Sequence, residues 1–160
     1  MPMPNKRDAG NTRPVVLASA SPRRREILTG AGLEFDVVVS EVSEEALPDE
    51  SPEALVERLA REKALAVAIR LAERPRCCVI GADTVVVLGE SVLGKPVDAE
   101  HAVALLTRLA GREHRVLTGV AVVDSASLRV RSLSLESRVL MRPLSEDEIR
   151  RYVATGEPLD

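Results

Sequence analysis

The sequence predicts an α/β fold built on a mixed sheet with flanking helices, and three observations carry that reading. Residues 14–39 read as strand–helix–strand, the unit that brings strands together in parallel. Two later connections, Gly89-Glu90 and Asp124-Ser125-Ala126, are short turns between apolar runs and read as antiparallel hairpins. Helix starts are marked by capping residues at Ser21-Pro22, Ser51-Pro52, Asp98 and Ser145.

Composition sets the frame. The chain has 160 residues, 45% hydrophobic and 29% charged, enough for one globular domain with a core. One Phe, one Tyr and no Trp make that core aliphatic and argue against an aromatic stacking platform for single-stranded nucleic acid. A net charge of −3 gives no overall basic field for a nucleic-acid polymer, so any polyanion site must be local. Cys77 and Cys78 lie side by side in an apolar run, without zinc or disulfide spacing, and read as buried thiols. No apolar run is long enough to span a bilayer and no signal-peptide pattern opens the chain, so the expected location is the cytoplasm, with no membrane partner.

In order, residues 1–13 are polar, carry two prolines and read as a disordered tail ahead of a single domain over 14–160. Residues 14–18 form a short buried strand. A helix follows from Pro22 to about Thr29, with Ile27 and Leu28 facing inward and Gly30 and Gly32 as its stop. Residues 35–39 are a second strand, and residues 40–50 an acidic loop. Ser51-Pro52 opens a long helix to about Glu73, whose apolar stripe includes Val56, Leu59, Ala66 and Ile69. Lys63 falls on that stripe. Residues 77–88 are a strongly apolar strand region interrupted at Gly81-Ala82-Asp83-Thr84, and residues 91–93 return as its hairpin partner. Gly94-Lys95-Pro96 is a loop. Asp98 caps a helix over 99–109 that Gly111 stops. Strands over 116–123 and 128–141 come next. Ser145 with Glu148 makes a capping box for a last helix to about Ala154.

Several residues stand out against this background. Ser19, Ser21, Arg23 and Arg24 meet at one helix start, where free N–H groups and guanidinium groups suit an anion, most naturally phosphate. An ordinary solvated first turn would look the same. Lys63 on an apolar stripe either snorkels outward or reaches into a site. Asp83 inside an apolar strand is costly unless it is paired, bound to metal or satisfied by backbone N–H groups. Lys95 lies between Gly and Pro in a loop. Glu41, Glu44 and Glu45 cluster in the acidic loop, mostly as a solvated face. His101 and His114 stand alone, outside any catalytic spacing. Cations and helix amides suit phosphate, and carboxylates suit a divalent metal or a general base on water. The residues together suggest metal-assisted hydrolysis of a phosphoanhydride. Neither a P-loop nor a dinucleotide GxGxxG pattern is present.

The same residues sit in motifs that resemble the Maf family of nucleoside triphosphate pyrophosphatases. The matching pieces are Leu-Ala-Ser-Ala-Ser-Pro-Arg-Arg at 17–24, Leu-Ala-Arg-Glu-Lys-Ala at 59–64 and Gly-Ala-Asp-Thr-Val-Val at 81–86. Gly-Lys-Pro at 94–96, His-Arg-Val-Leu-Thr-Gly-Val at 114–120 and Tyr-Val-Ala-Thr-Gly-Glu-Pro-Leu-Asp at 152–160 complete the set. The resemblance implies an elongated, twisted mixed sheet in two lobes around a central cleft, similar to the inosine triphosphate pyrophosphatases. It implies hydrolysis between the α and β phosphates, giving the monophosphate and pyrophosphate, with a divalent cation such as Mg²⁺ or Mn²⁺. It implies that Asp83 accepts the proton of the attacking water near the metal, and that Ser19, Arg24, Lys63 and Lys95 grip phosphate. Glu44 becomes a metal or water contact.

Ser-Pro-Arg-Arg with Gly-Ala-Asp-Thr resembles the branch acting on dTTP, UTP and related or modified pyrimidine nucleotides, which makes Arg23 and Thr84 the specificity candidates. The family pattern continues past Glu-Pro-Leu-Asp, so the chain is expected to be a C-terminally shortened member. A nucleotide-binding or regulatory protein with little turnover is the alternative that such shortening suggests. A homodimer is among the expected assemblies.

Overall fold

The computed structural model describes residues 13–159. The expected tail therefore lies outside the described residues except for Arg13, which pairs with Asp124 at 3.0 Å. The elements are β1 (Val15–Leu17), α1 (Pro22–Gly30), β2 (Asp36–Val37), α2 (Pro52–Arg70), β3 (Cys78–Leu88), β4 (Ser91–Leu93), α3 (Ala99–Leu109), β5 (Glu113–Asp124), β6 (Val130–Leu140), α4 (Glu146–Ala154) and a 3-10 turn (Glu157–Leu159). They build one mixed six-stranded sheet in the order β2-β1-β3-β5-β6, with β4 paired to β3. The β1–β2 and β1–β3 pairs are parallel, whereas β3–β4, β3–β5 and β5–β6 are antiparallel. The mixed sheet matches the sequence-based expectation.

β3 is the spine of the molecule. One of its edges runs along β5 from Cys78 to Val87. Its other edge is shared: β1 pairs over Cys78 to Ile80, and β4 pairs over Val86 to Leu88. Between them, Gly81 to Val85 carry no strand on that edge among the described residues. β1 runs parallel to β3 and β4 antiparallel, so both strands run toward this gap from opposite ends. The chain passes from β1 through α1 to β2 on one side, then crosses back over β1 through α2 to β3 on the other.

α2 spans the gap on one face of the sheet. Its N-terminal half packs through Val56 on Val87 and Leu117. Its C-terminal half packs through Ala60, Ala64, Val67 and Ala68 on Val16, Val79, Ala121 and Val123. Val56, Leu59 and Val67 are fully buried there, each worth about 1.5–3 kcal/mol. The helix lies unusually close because glycines face it. A Cβ on Gly119 would come within 3.0 Å of the Val56 carbonyl, and one on Gly81 within 3.0 Å of the Ala60 carbonyl and the Ala64 amide. Glycine inside a strand commonly marks such a close approach. α3 and α4 form a separate cluster around Ala102, Ile149 and Val153, joined to the sheet by the ends of β4, β5 and β6. Three of the four cap expectations hold, Ser51 Oγ accepting from Ala54, Asp98 from His101, and Ser145 forming the capping box with Glu148, whereas Ser21 makes no side-chain cap bond.

Four expectations need correction. Ile27 is 68% exposed and α1 has no buried residue, so its apolar pair does not face a core as a stripe. Ile69 is also exposed and Ala66 only half-buried, because the buried face of α2 is set by the small residues Ala60 and Ala64. α2 ends at Arg70 and does not reach Glu73. The strand is not interrupted at Gly81-Ala82-Asp83-Thr84, since each of these residues stays in register with β5. The thiols follow the sequence: Cys77 is buried, Cys78 half-buried, and burial pushes the Cys78 thiol up from its ordinary value. No helix among the described residues is long and apolar enough to cross a membrane.

Candidate active site

The gap along β3 is where the sequence-predicted residues gather. Ser19 follows the end of β1 and Lys95 follows the end of β4, so the two converging strands carry one candidate each to the gap. Asp83 lies on β3 between them. Side chains alternate along a strand, so Asp83 shares with Gly81 the face that α2 covers. Lys63 lies on the buried face of α2 between Ala60 and Ala64. Its Nζ donates to Asp83 Oδ1 at 2.6 Å and to Glu44 Oε1 at 2.6 Å. Lys63 and Asp83 are buried, and Glu44 reaches in from the acidic loop with its side chain half exposed. Lys63 therefore reaches inward and does not snorkel, and Asp83 is satisfied by a charge partner.

Glu44 feels cationic charge from Lys63, Lys95 and Arg24. The hydrogen bond from Lys63 holds its carboxyl below the ordinary glutamate value, against the opposing effect of partial burial. The charges of Lys63, Lys95 and Arg24 add to the lowering. Arg24 is fixed in turn by Ser19, its Nη1 donating to Ser19 Oγ at 3.0 Å, and the same hydroxyl accepts from the Ser21 amide at 3.2 Å. Ser21 occupies the N-cap position of α1, but its side chain makes no cap bond. The first turn of α1 thus presents backbone amides beside Arg24, as an anion site requires.

The two specificity candidates stand apart from this cluster. Thr84, the neighbour of Asp83, points to the opposite face of the sheet, where its Oγ1 lies 3.2 Å from Thr118 Oγ1. Arg23 turns toward the 3-10 turn, donating from Nη2 to the Glu157 carbonyl at 3.1 Å. Glu41 is exposed, and Glu45 contributes its backbone carbonyl to Arg58 at 3.0 Å. His101 Nδ1 accepts from the Val97 amide at 3.2 Å near the start of α3. His114 is buried in β5, five residues along the strand from Gly119, the partner of Asp83. Neither histidine joins the cluster.

Sequence reasoning missed Gly119, which lies opposite Asp83 and admits α2, and Arg58, which holds the acidic loop. A glycine within an apolar strand and an arginine following an acidic loop were the available signals.

A protein-family model described as Maf-like protein matches residues 14–160. The chain belongs to the Maf-like family. The dTTP/UTP pyrophosphatase of Desulforamulus reducens is 49% identical over 148 residues, covering 92% of this chain and 76% of the relative. The enzyme of the same name from Pelotomaculum thermopropionicum is 50% identical over 145 residues, with 91% and 74% covered. That of Geobacter sulfurreducens is 47% identical over 146 residues, with 91% and 75% covered. This Maf-like chain thus spans about three quarters of the length of each. Among solved structures, the Staphylococcus aureus Ham1 protein gives a TM-score of 0.45 at 16% identity, over 80% of this chain and 71% of that one.

Proposed function

We propose that this Maf-like protein is a nucleoside triphosphate pyrophosphatase acting on dTTP, UTP and related or modified pyrimidine nucleotides. The observation that supports it best is the Lys63 ammonium bridging the Asp83 and Glu44 carboxylates at the gap along β3, with the charges of Arg24 and Lys95 acting on Glu44. A triphosphate carries several negative charges in a row. Three cations on three separate elements, together with the amides of α1, match such a chain better than they match a single anion. The similarity to pyrophosphatases named for dTTP and UTP supports the same reading.

In this scheme Arg24 and Lys95 hold phosphate oxygens, with Ser19 orienting Arg24. Asp83 takes the proton of the attacking water at its carboxylate, and Lys63 orients Asp83. The α–β anhydride breaks, giving the monophosphate and pyrophosphate. The donor set also fits Mg²⁺ or Mn²⁺. Glu44 and Asp83 each bind the Lys63 ammonium through one oxygen, and such cations commonly take one or two carboxylates plus substrate phosphates and water. A cation held there would neutralise developing charge on the phosphates. Among the described residues no group of three or more His, Cys, Asp or Glu is placed to hold a metal ion.

The test is pyrophosphate release from dTTP, UTP, CTP and 7-methyl-GTP, each with Mg²⁺ or Mn²⁺. Release of pyrophosphate with a pyrimidine monophosphate is the expected result. Nucleotide binding without any release would replace the enzyme by a binding protein. Faster turnover of 7-methyl-GTP than of the pyrimidine nucleotides would overturn the substrate assignment alone.

A further inference from the structure

The geometry points to Arg58 as a positioning residue that holds the acidic loop so that Glu44 meets Lys63. This rests on the pyrophosphatase reading for its kinetic consequence and on loop geometry for the rest. Burial does not place Glu44, whose side chain is 53% exposed. Apolar packing beside it is slight, since Leu47 is 55% exposed and Val42 only partly buried. The loop also carries Glu41, Glu44, Glu45, Asp49 and Glu50, which repel one another. Without an anchor it would neither lie down on α2 nor hold one carboxylate at 2.6 Å from an ammonium.

Arg58 supplies the anchor. Its guanidinium binds Glu50 at both ends, Nε to Oε1 at 2.6 Å and Nη2 to Oε2 at 2.8 Å, the two-pronged geometry that fixes direction as well as distance. Nη2 also donates to the Glu45 carbonyl at 3.0 Å, one residue beyond Glu44. Nη1 donates to Glu62 Oε2 at 3.1 Å, which holds the guanidinium against its own helix. Glu50 Oε2 accepts from the Leu47 amide at 3.0 Å, tightening the loop between the two anchored points. At the other end of the loop, Arg70 Nη1 donates to the Val39 carbonyl at 2.9 Å. The loop is therefore tied to α2 on both sides of Glu44. Arg58 and Lys63 are carried by the same helix, so the clamp and the ammonium keep a fixed spacing. Arg58 touches none of the groups assigned to phosphate; it acts through Glu44.

The experiment compares the parent with Arg58→Ala, Arg58→Lys, Glu44→Gln and the Arg58→Ala/Glu44→Gln pair, using dTTP with Mg²⁺. Glu50→Gln is a milder variant that keeps the side-chain shape, and circular dichroism confirms folding of each protein. We expect Arg58→Ala to lower kcat about tenfold or more with KM changed less than about threefold, and Arg58→Lys to recover only part of the loss. In the Glu44→Gln background the same change should cost less than about twofold, because the group it positions is gone. Independently of turnover, a glutamate-specific protease should cut the 40–50 loop of Arg58→Ala and Glu50→Gln at least about tenfold faster than that of the parent. Equal protection of the loop in parent and variants overturns the clamp. So do losses from Arg58→Ala and Glu44→Gln that multiply in the double variant. A parent that turns over no triphosphate overturns the pyrophosphatase reading, and the protease comparison then decides the clamp by itself.

Discussion

Lys63 Nζ donates to Asp83 Oδ1 at 2.6 Å across the seam between α2 and β3, with both side chains less than a tenth exposed. A buried pair of this kind contributes little net stability when intact, because desolvation offsets the attraction, but breaking it leaves one charge stranded. Lys63→Met should therefore destabilise the fold by about 3–5 kcal/mol. Lys63→Met/Asp83→Leu should regain most of that loss. Urea unfolding of the two variants and the parent measures both. A single variant within about 1 kcal/mol of the parent would mean that the pair is wetter than its burial implies.

Asp83→Asn separates chemistry from binding. The amide keeps the shape and can still accept from Lys63, but it is too weak a base to take a proton from water. The expected result is a fall in kcat of about a hundredfold or more, with nucleotide affinity within about threefold of the parent. Turnover and isothermal titration with a non-hydrolysable triphosphate give the two numbers. Equal loss of both would show Asp83 to be a binding group.

Much of this was legible in the sequence, for physical reasons. Lys63 and Asp83 were conspicuous because a charge on an apolar stripe or strand demands a partner. The capped starts of α2, α3 and α4 were conspicuous because Ser or Asp ahead of a helix satisfies amides that nothing else can. The inward face of α1 was misread because a short helix beginning Pro-Arg-Arg-Arg has little apolar surface to bury, and Ile27 is left in solvent. The convergence of β1 and β4, which Ser19 and Lys95 follow, was invisible, since it depends on both strands sharing one edge of β3, a matter of sheet order. Arg58 leaves only the weak signal of an arginine following an acidic loop, because its bonds to Glu50 and Glu45 form only once the loop folds back on its helix.

Gly119 lies opposite Asp83, and its missing side chain is what lets α2 approach. The obstructing atoms would be the Val56 carbonyl and the Glu57 amide, which are backbone and cannot rotate away. Gly119→Ala should cost about 3 kcal/mol or more, at or above the upper end of usual overpacking, because the helix itself must move. It should also lower turnover among the molecules that do fold, by drawing Lys63 away from Asp83. Urea unfolding and kcat measured below the unfolding transition test the two parts. A variant as stable and as active as the parent would show that α2 can shift without cost.

Acid should loosen the acidic loop before it unfolds the sheet. Arg58 and the Leu47 amide hold the Glu50 carboxyl down to about 2 from an ordinary 4.5. A depressed carboxyl favours the folded form above its unfolded value, and that contribution fades as pH falls through the folded value. The Glu50 contribution is thus complete above about pH 4.5 and lost toward about pH 2. Glu44 shifts in the same direction, chiefly through its hydrogen bond to Lys63. Glu50→Gln cannot ionise, so its stability deficit against the parent should be largest near neutral pH and shrink as the parent protonates. Urea unfolding of both proteins across that range, with protease cutting of the 40–50 loop followed in parallel, makes the comparison. A deficit that stays constant down to about pH 2 would show that Glu50 holds Arg58 by shape and not by charge.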